Sequence, residues 1–286
     1  MQVGQKSEVG SQNTEQTAVI GIIAGSGALP ALIAQDARER GIRVVTVAIE
    51  NLASPDIEPV SDELKWINVG KLGELIDTLK GAGVQKAIMA GKVPKSLLYT
   101  TKVTPDLRAI KLLFSLRDKS DDSILNAITK ELQKEGIEII ETAAFSPGLL
   151  TPEGVLTAKK PTADELKDID FGWRIAKEIG RLDIGQSVVV KGQAVLAVEA
   201  IEGTDEAILR GGKWSGEGAV VVKVSKPQQD MRLDVPVIGM DTLRAMISVK
   251  ATVLALEAQR SIIIDRKAVL SEAERAGITI VGVMKD

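Results

Sequence analysis

A short β-branched apolar run, Val19-Ile20-Gly21-Ile22-Ile23-Ala24, leads straight into Gly25-Ser26-Gly27, and this junction constrains the fold more than any other stretch. A run so short fits a buried strand or a helix fragment by periodicity alone. Its β-branching and the glycines behind it favour the strand. Pro30 suits the first turn of a helix, Ala31 to Arg40 continue it, and Gly41 stops it before the β-branched run Val44-Val45-Thr46-Val47. That is one βαβ unit. Lys65 to Val69 reads as a further strand, Leu72 to Lys80 as a helix ended by Gly81, and Lys86 to Ala90 as a strand closed by Gly91. Such alternation implies a parallel sheet with covering helices.

At 286 residues and 30.4 kDa the chain exceeds one average core, so two domains or one large α/β domain are expected. Asp106 to Arg117 and Asp121 to Glu135 read as helices, the second with Ile124, Leu125, Ile128 and Leu132 at helical spacing, and Ile137 to Ile140 returns to strand. Prolines and glycines then concentrate between Ser146 and Pro161, which marks a linker. The expected division is a flexible tail over 1–16, an α/β domain over 17–148, a linker over 149–161 and a C-terminal α+β domain over 162–286. In that second domain Ala163 to Ile179 and Thr242 to Glu257 read as helices. Ser187 to Ala200 reads as β-rich with a hairpin turn at Lys191-Gly192-Gln193, and Val220 to Val224, Ile262 to Ile264 and Ile278 to Val283 as strands.

Composition removes whole chemistries. The chain has no cysteine and no histidine, which excludes thiol catalysis, imidazole bases and His or Cys metal sites. Aromatic residues are only 2% and the net charge is -3, so nucleic acid is an unexpected partner. The apolar runs fall far short of the roughly 20 residues that span a bilayer. The polar segment Met1 to Gln16 lacks the apolar centre of a secretory signal, so cytoplasmic residence is expected.

Six places could carry chemistry. The turn Gly25-Ser26-Gly27-Ala28-Leu29-Pro30 sits where dinucleotide folds cradle a pyrophosphate, although Pro30 stands in place of the third glycine; a plain tight turn needs the same glycines. Glu50 follows the second strand roughly where a ribose-binding acid would lie. Asp230 to Val237 alternates strictly, which predicts a strand with Met231, Leu233, Val235 and Val237 on one face and Asp230, Arg232, Asp234 and Pro236 on the other. Its polar face could hold a phosphate and a cation, or simply be solvated. Glu199, Glu202 and Asp205 form an acidic patch that fits Mg²⁺, which takes oxygen ligands, or a helix start capped by Thr204. Asp121 and Asp122 read the same two ways. Lys226-Pro227 could set an ammonium beside a phosphate.

The order of these pieces is itself informative. Ile23-Ala24-Gly25-Ser26-Gly27-Ala28-Leu29-Pro30, Ala90-Gly91-Lys92-Val93, Asp121-Asp122, Ile179 to Gln186, Glu202-Gly203-Thr204-Asp205 and Arg232 to Gly239 stand in one sequence that resembles the LpxI-type UDP-2,3-diacylglucosamine pyrophosphatases. The resemblance runs from about Val19 to Val283. It implies an N-terminal Rossmann-like domain, a C-terminal catalytic domain, lipid bound between them and a homodimer. It also implies Mg²⁺-dependent hydrolysis of the diphosphate of UDP-2,3-diacylglucosamine to UMP and 2,3-diacylglucosamine 1-phosphate, a step of lipid A synthesis that draws its substrate from the inner-membrane surface. The family's essential aspartate lies in R-x-D-x-P-x-I-G, which is Asp234 here, with Arg232 its motif neighbour. Ser26 departs from the third consecutive glycine of some members, and the polar tail has no counterpart.

On this reading Asp234 and Arg232 are catalytic, and Gly25, Ser26, Gly27, Lys92, Thr204 and Lys226 face the substrate. Asp234, Glu202, Asp205 and Asp122 would hold Mg²⁺. Aliphatic surface between the domains would take the acyl chains. Two alternatives stay open: an NAD(P)-dependent oxidoreductase, suggested by the βαβ unit and Glu50, and a non-catalytic lipid or nucleotide carrier.

Overall fold

The structure is a computed structural model that describes residues 18–93, 104–116 and 121–285. The expected tail over 1–16 lies outside the described residues. Strands β1 (Val19–Ala24), β2 (Arg43–Ile49), β3 (Glu63–Ile67), β4 (Lys86–Ala90) and β5 (Glu138–Ile139) form a wholly parallel sheet in the order β3-β2-β1-β4-β5. Helix α1 (Leu29–Glu39) joins β1 to β2, α2 (Leu72–Gly81) joins β3 to β4, and α3 (Leu107–Ser115) and α4 (Asp121–Lys134) lie between β4 and β5. The alternation of β2 explains why helices cover both faces. Val44 and Ala48 pack with Ile33, Ala34 and Ala37 of α1, while Val45, Val47 and Ile49 pack with Leu75, Ile76 and Leu79 of α2. Burying each large aliphatic side chain contributes about 1.5–3 kcal/mol, so a one-residue slip of β2 would exchange both faces at once. The order places a topological switch point between β1 and β4, where such sheets open a crevice at the carboxyl ends of their strands.

After α5 (Thr142–Phe145) the chain enters a second, mixed sheet. Its strands are β6 (Gly154–Val155), β7 (Ser187–Lys191), β8 (Ala194–Val198), β9 (Val220–Lys223), β11 (Val253–Glu257) and β13 (Thr279–Val283), in the order β6-β13-β11-β9-β7-β8. Strands β9, β11 and β13 run parallel, and β6, β7 and β8 pair antiparallel to their neighbours. A small parallel pair, β10 (Val237–Ile238) and β12 (Ile262–Ile263), stands apart. Helix α6 (Ala163–Arg181) opens with a Thr162–Glu165 capping box and lays Ile169, Trp173 and Ala176 on one face of the sheet. Helices α7 (Thr204–Ser215), α8 (Met240–Ser248) and α9 (Arg266–Arg275) cover the other face through Ile208, Leu243, Met246 and Val269. The expected hairpin forms between β7 and β8, with Gly192 and Gln193 both at positive φ and both amides donating to the Asp168 carboxylate.

Three expectations are corrected. The stretch Thr242 to Glu257 is not one helix: α8 ends at Ser248, Lys250 turns at φ 54, and Val253 to Glu257 is the buried strand β11. A continuous apolar run of that length has no periodicity to separate strand from helix. The alternating stretch from Asp230 is not a strand before Val237. Asp230 accepts from the backbone N–H of Arg232, and its carbonyl accepts from Leu233 and Asp234, so an aspartate turn outcompetes the ladder. Thr204 is not the cap of its helix: Gly203, at φ 86, takes that position, and α7 runs to Ser215.

Candidate active-site crevice

The turns that leave β1 and β4 pair with each other. Gly25 N–H donates to Ala90 O at 2.8 Å, Ser26 N–H to Lys92 O at 2.9 Å, and Lys92 N–H back to Ser26 O at 3.0 Å. The Ser26 hydroxyl adds a bond to Lys92 O at 2.9 Å. Two glycines make this approach possible. A Cβ on Gly25 would lie 2.7 Å from Lys92 O, and one on Gly91, at φ 85, would lie 2.5 Å from Ser26 O. The glycine turn therefore serves close backbone pairing at the switch point, and it presents Lys92 there.

The loop that carries Asp234 is pinned on both sides. Met231 and Val235, each 8% exposed, bury into the cluster formed by Ile20, Ile22 and Ile33 of the first sheet, so the second domain reaches into the core of the first. Arg232 spans Asp230, with Nε to Oδ1 at 3.0 Å and Nη2 to Oδ2 at 2.6 Å. That pairing holds the Asp230 carboxyl below the ordinary aspartate range and raises the guanidinium. Arg232 thus closes the turn, with Asp230 and not Asp234 as its partner. Asp234 itself is exposed, with Oδ2 accepting from Gln229 Nε2 at 3.0 Å.

Protein surrounding the Asp234 carboxyl raises its proton affinity above the ordinary value, while the ammonium groups of Lys223, Lys226 and Lys92 pull the other way. Lys92 follows β4 and Lys223 ends β9. The carboxyl ends of strands from both sheets therefore each carry an ammonium group within electrostatic reach of one carboxylate. Lys226 is also paired with Asp183.

Behind Asp234 lies a polar network. Lys223 Nζ donates to Thr204 Oγ1 at 2.8 Å and to Val237 O at 3.1 Å, and Thr204 donates to Glu199 Oε1 at 2.8 Å. All three residues are buried. Burial lowers the proton affinity of Lys223, and Glu199 is the strongest opposing influence.

Lys92, Lys223 and Lys226 thus lie within electrostatic reach of Asp234, Thr204 holds Lys223, and Gly25 and Ser26 hold the turn that carries Lys92. The remaining acidic candidates are gathered less closely. Glu202 pairs with Arg210, whose charge helps hold its carboxyl below the ordinary range behind a larger contribution from its own backbone N–H. Asp205 accepts from Thr242 Oγ1 at 2.7 Å and lies within electrostatic reach of Lys223. The side chain of Asp122, in the first turn of α4, lies outside the described residues. Gly27 has open space where a Cβ would stand. Glu50 is exposed just beyond β2. Among the described residues no three acidic groups form a ready metal cage. Mg²⁺ needs none, since it keeps much of its water and takes one or two carboxylates together with substrate phosphates. One open carboxylate, Asp234, fits that donor set.

Lys223 escaped the sequence reading because it sits in Val220-Val221-Val222-Lys223-Val224, where it resembles the polar end of a strand. A lysine inside an otherwise apolar parallel strand was the available signal.

Fold and site together define a two-domain α/β protein in which lysines at strand ends of both sheets lie within electrostatic reach of one exposed carboxylate. The family profile described as LpxI N-terminal domain matches residues 19–149, and that described as LpxI C-terminal domain matches 152–281. The UDP-2,3-diacylglucosamine pyrophosphatase LpxI of Caulobacter vibrioides is 33% identical over 277 residues, covering 92% of this chain and 97% of that protein. This chain belongs to the LpxI family. Among solved structures, gox2253 aligns with 58% of this chain and 47% of its own at 15% identity and a TM-score of 0.28. The N5-carboxyaminoimidazole ribonucleotide synthetase of Thermotoga maritima aligns with 65% and 42% at 18% identity and a TM-score of 0.22. Neither likeness bears on the fold described here.

Proposed function

We propose that this protein hydrolyses the diphosphate of UDP-2,3-diacylglucosamine, giving UMP and 2,3-diacylglucosamine 1-phosphate. The observation that carries the reading is the electrostatic pull of Lys92, Lys223 and Lys226 on the exposed Asp234. The full-length similarity to a protein named for that reaction supports it. Water attacks one phosphorus, forms a new P–O bond and gives up a proton to solvent, while the bridging P–O bond breaks and its electron pair leaves with the departing phosphate. A diphosphate resists this until its charge is offset and a water is aligned. Lys92 and Lys226 offset charge at the rim, Asp234 orients the water, and the paired turns at Ser26 and Lys92 shape the wall beside it. Arg232 supports Asp234 by keeping its loop folded around Asp230. Mg²⁺, held by Asp234 and the substrate's own phosphate oxygens, would neutralise diphosphate charge when bound.

Aliphatic surface between the domains would receive the acyl chains. Among the described residues no helix is long and apolar enough to cross a membrane. We place the reaction in the cytoplasm at the inner-membrane surface, with the protein a homodimer as its family resemblance implies.

The test is incubation with UDP-2,3-diacylglucosamine with and without Mg²⁺, reading UMP by chromatography. Stoichiometric UMP that appears with Mg²⁺ and stops on chelation is expected. A carrier would bind the lipid and release none, and an oxidoreductase would instead bind a nicotinamide cofactor.

A further inference from the structure

An ammonium has three donors. Lys223, 5% exposed, gives one to Thr204 Oγ1 and one to the carbonyl of Val237. Among the described residues no other hydrogen bond engages it, so one N–H stays uncommitted on a lysine within electrostatic reach of the exposed Asp234 and bonded to Val237, three residues beyond it. A buried cation with a spare donor is a costly arrangement to keep for packing alone.

The network behind it fixes its position. Thr204 has a single hydroxyl proton, which goes to Glu199 Oε1, leaving its lone pairs to accept from Lys223 and approach Ser187 Oγ at 3.3 Å. Glu199 is held in turn, with Oε2 accepting from the backbone N–H of Gln186 at 3.2 Å. Backbone, carboxylate, hydroxyl and ammonium form one directed line that ends at Lys223. Lys92 and Lys226, by contrast, lie on loops and are more exposed.

We propose that Lys223 is a catalytic residue that gives its third N–H to a phosphate oxygen of the substrate, and that Thr204 and Glu199 are positioning residues that hold it charged and aimed. The proposal rests on the diphosphate hydrolysis proposed above and adds the group that meets charge as the bridging bond breaks. Lys223 forms and breaks no covalent bond. A donor fixed before the reaction stabilises developing charge better than a mobile surface cation.

The test compares Lys223→Met, Glu199→Gln, their double variant and Thr204→Val for thermal stability, kcat and KM with UDP-2,3-diacylglucosamine. Lys223→Met is expected to lose about 100- to 1000-fold in kcat, and Glu199→Gln about tenfold. Each single change strands a buried partner, and the double removes both charges, so its stability should recover toward wild type. Its kcat should stay at the Lys223→Met level, because Glu199 acts through Lys223. A double variant that regains turnover along with stability would overturn the proposal, as would a folded Lys223→Met with wild-type kcat. If the lysine variants fail to fold, Thr204→Val, which keeps both charges, decides: about a tenfold fall in kcat in a folded protein supports the line, and unchanged kcat overturns it. Wild-type protein that releases no UMP would instead sink the hydrolysis reading beneath it.

Discussion

Asp234 binds its proton more tightly than an ordinary aspartate although three ammonium groups stand near it, so surrounding protein outweighs their attraction. A folded-state pKa above the unfolded value means that the folded form takes up the proton first as pH falls. Stability therefore declines as pH rises from the unfolded value through the folded one, and the penalty persists at neutral pH. Asp234→Asn, which carries no charge to desolvate, is expected to raise the melting temperature at pH 7.5 and to gain nothing near pH 3, while turnover drops about 1000-fold or more. Calorimetry at both pH values checks the sign, and a variant less stable than wild type at pH 7.5 would contradict it. At this scale motif order singled out Asp234, Lys92 and Thr204 alike, but for the Thr204 hydroxyl it offered only a cap or a substrate contact. A threonine next to glycine and before aspartate looks like a helix cap, and only the approach of Lys223 and Glu199 from distant strands gives its hydroxyl another use.

Among elements, the paired turns after β1 and β4 are the most sensitive joint. Gly91→Ala meets both a positive φ and a carbonyl 2.5 Å from its Cβ, and is expected to cost about 2–4 kcal/mol of stability and to reduce UMP release. Gly148→Ala, where nothing lies within 4 Å, should leave both nearly unchanged. Denaturant melts of the two variants side by side make the comparison. The first sheet was readable because glycine-punctuated, β-branched runs alternate with amphipathic helices. Farther on, β11 was misread as helix since a strand buried on both faces has no polar side to reveal its period. The segment from Asp230 failed differently. Its alternation is real, and Met231 and Val235 are buried as alternation requires, yet the backbone turns because aspartate bonds its own chain.

The two sheets work as one molecule because the loop at Met231 and Val235 and the small strand β12 at Ile262 reach from the second domain into the core of the first. Arg266, at the start of α9, adds a clamp: its Nη2 donates to the carbonyls of Gly148, Leu149 and Leu150, at 3.0, 2.8 and 2.5 Å, where the chain leaves the first sheet for the second. Arg266→Met would leave those carbonyls unpaired and is expected to lower the melting temperature by about 5 °C or more and to open residues 148–150 to proteolysis. Unchanged protease resistance would count against the clamp. Nothing in the sequence around Arg266 announced this, because its partners lie more than a hundred residues away. The crevice at the meeting of the strand ends is the centre of the account, and single-turnover UMP release by wild type and Asp234→Asn, with substrate binding measured on both, tests it most directly. Rapid release by wild type, together with an Asn variant that binds substrate and releases UMP at least about 1000-fold more slowly, is the predicted result. An Asn variant that releases UMP within a few-fold of the wild-type rate would place the chemistry elsewhere.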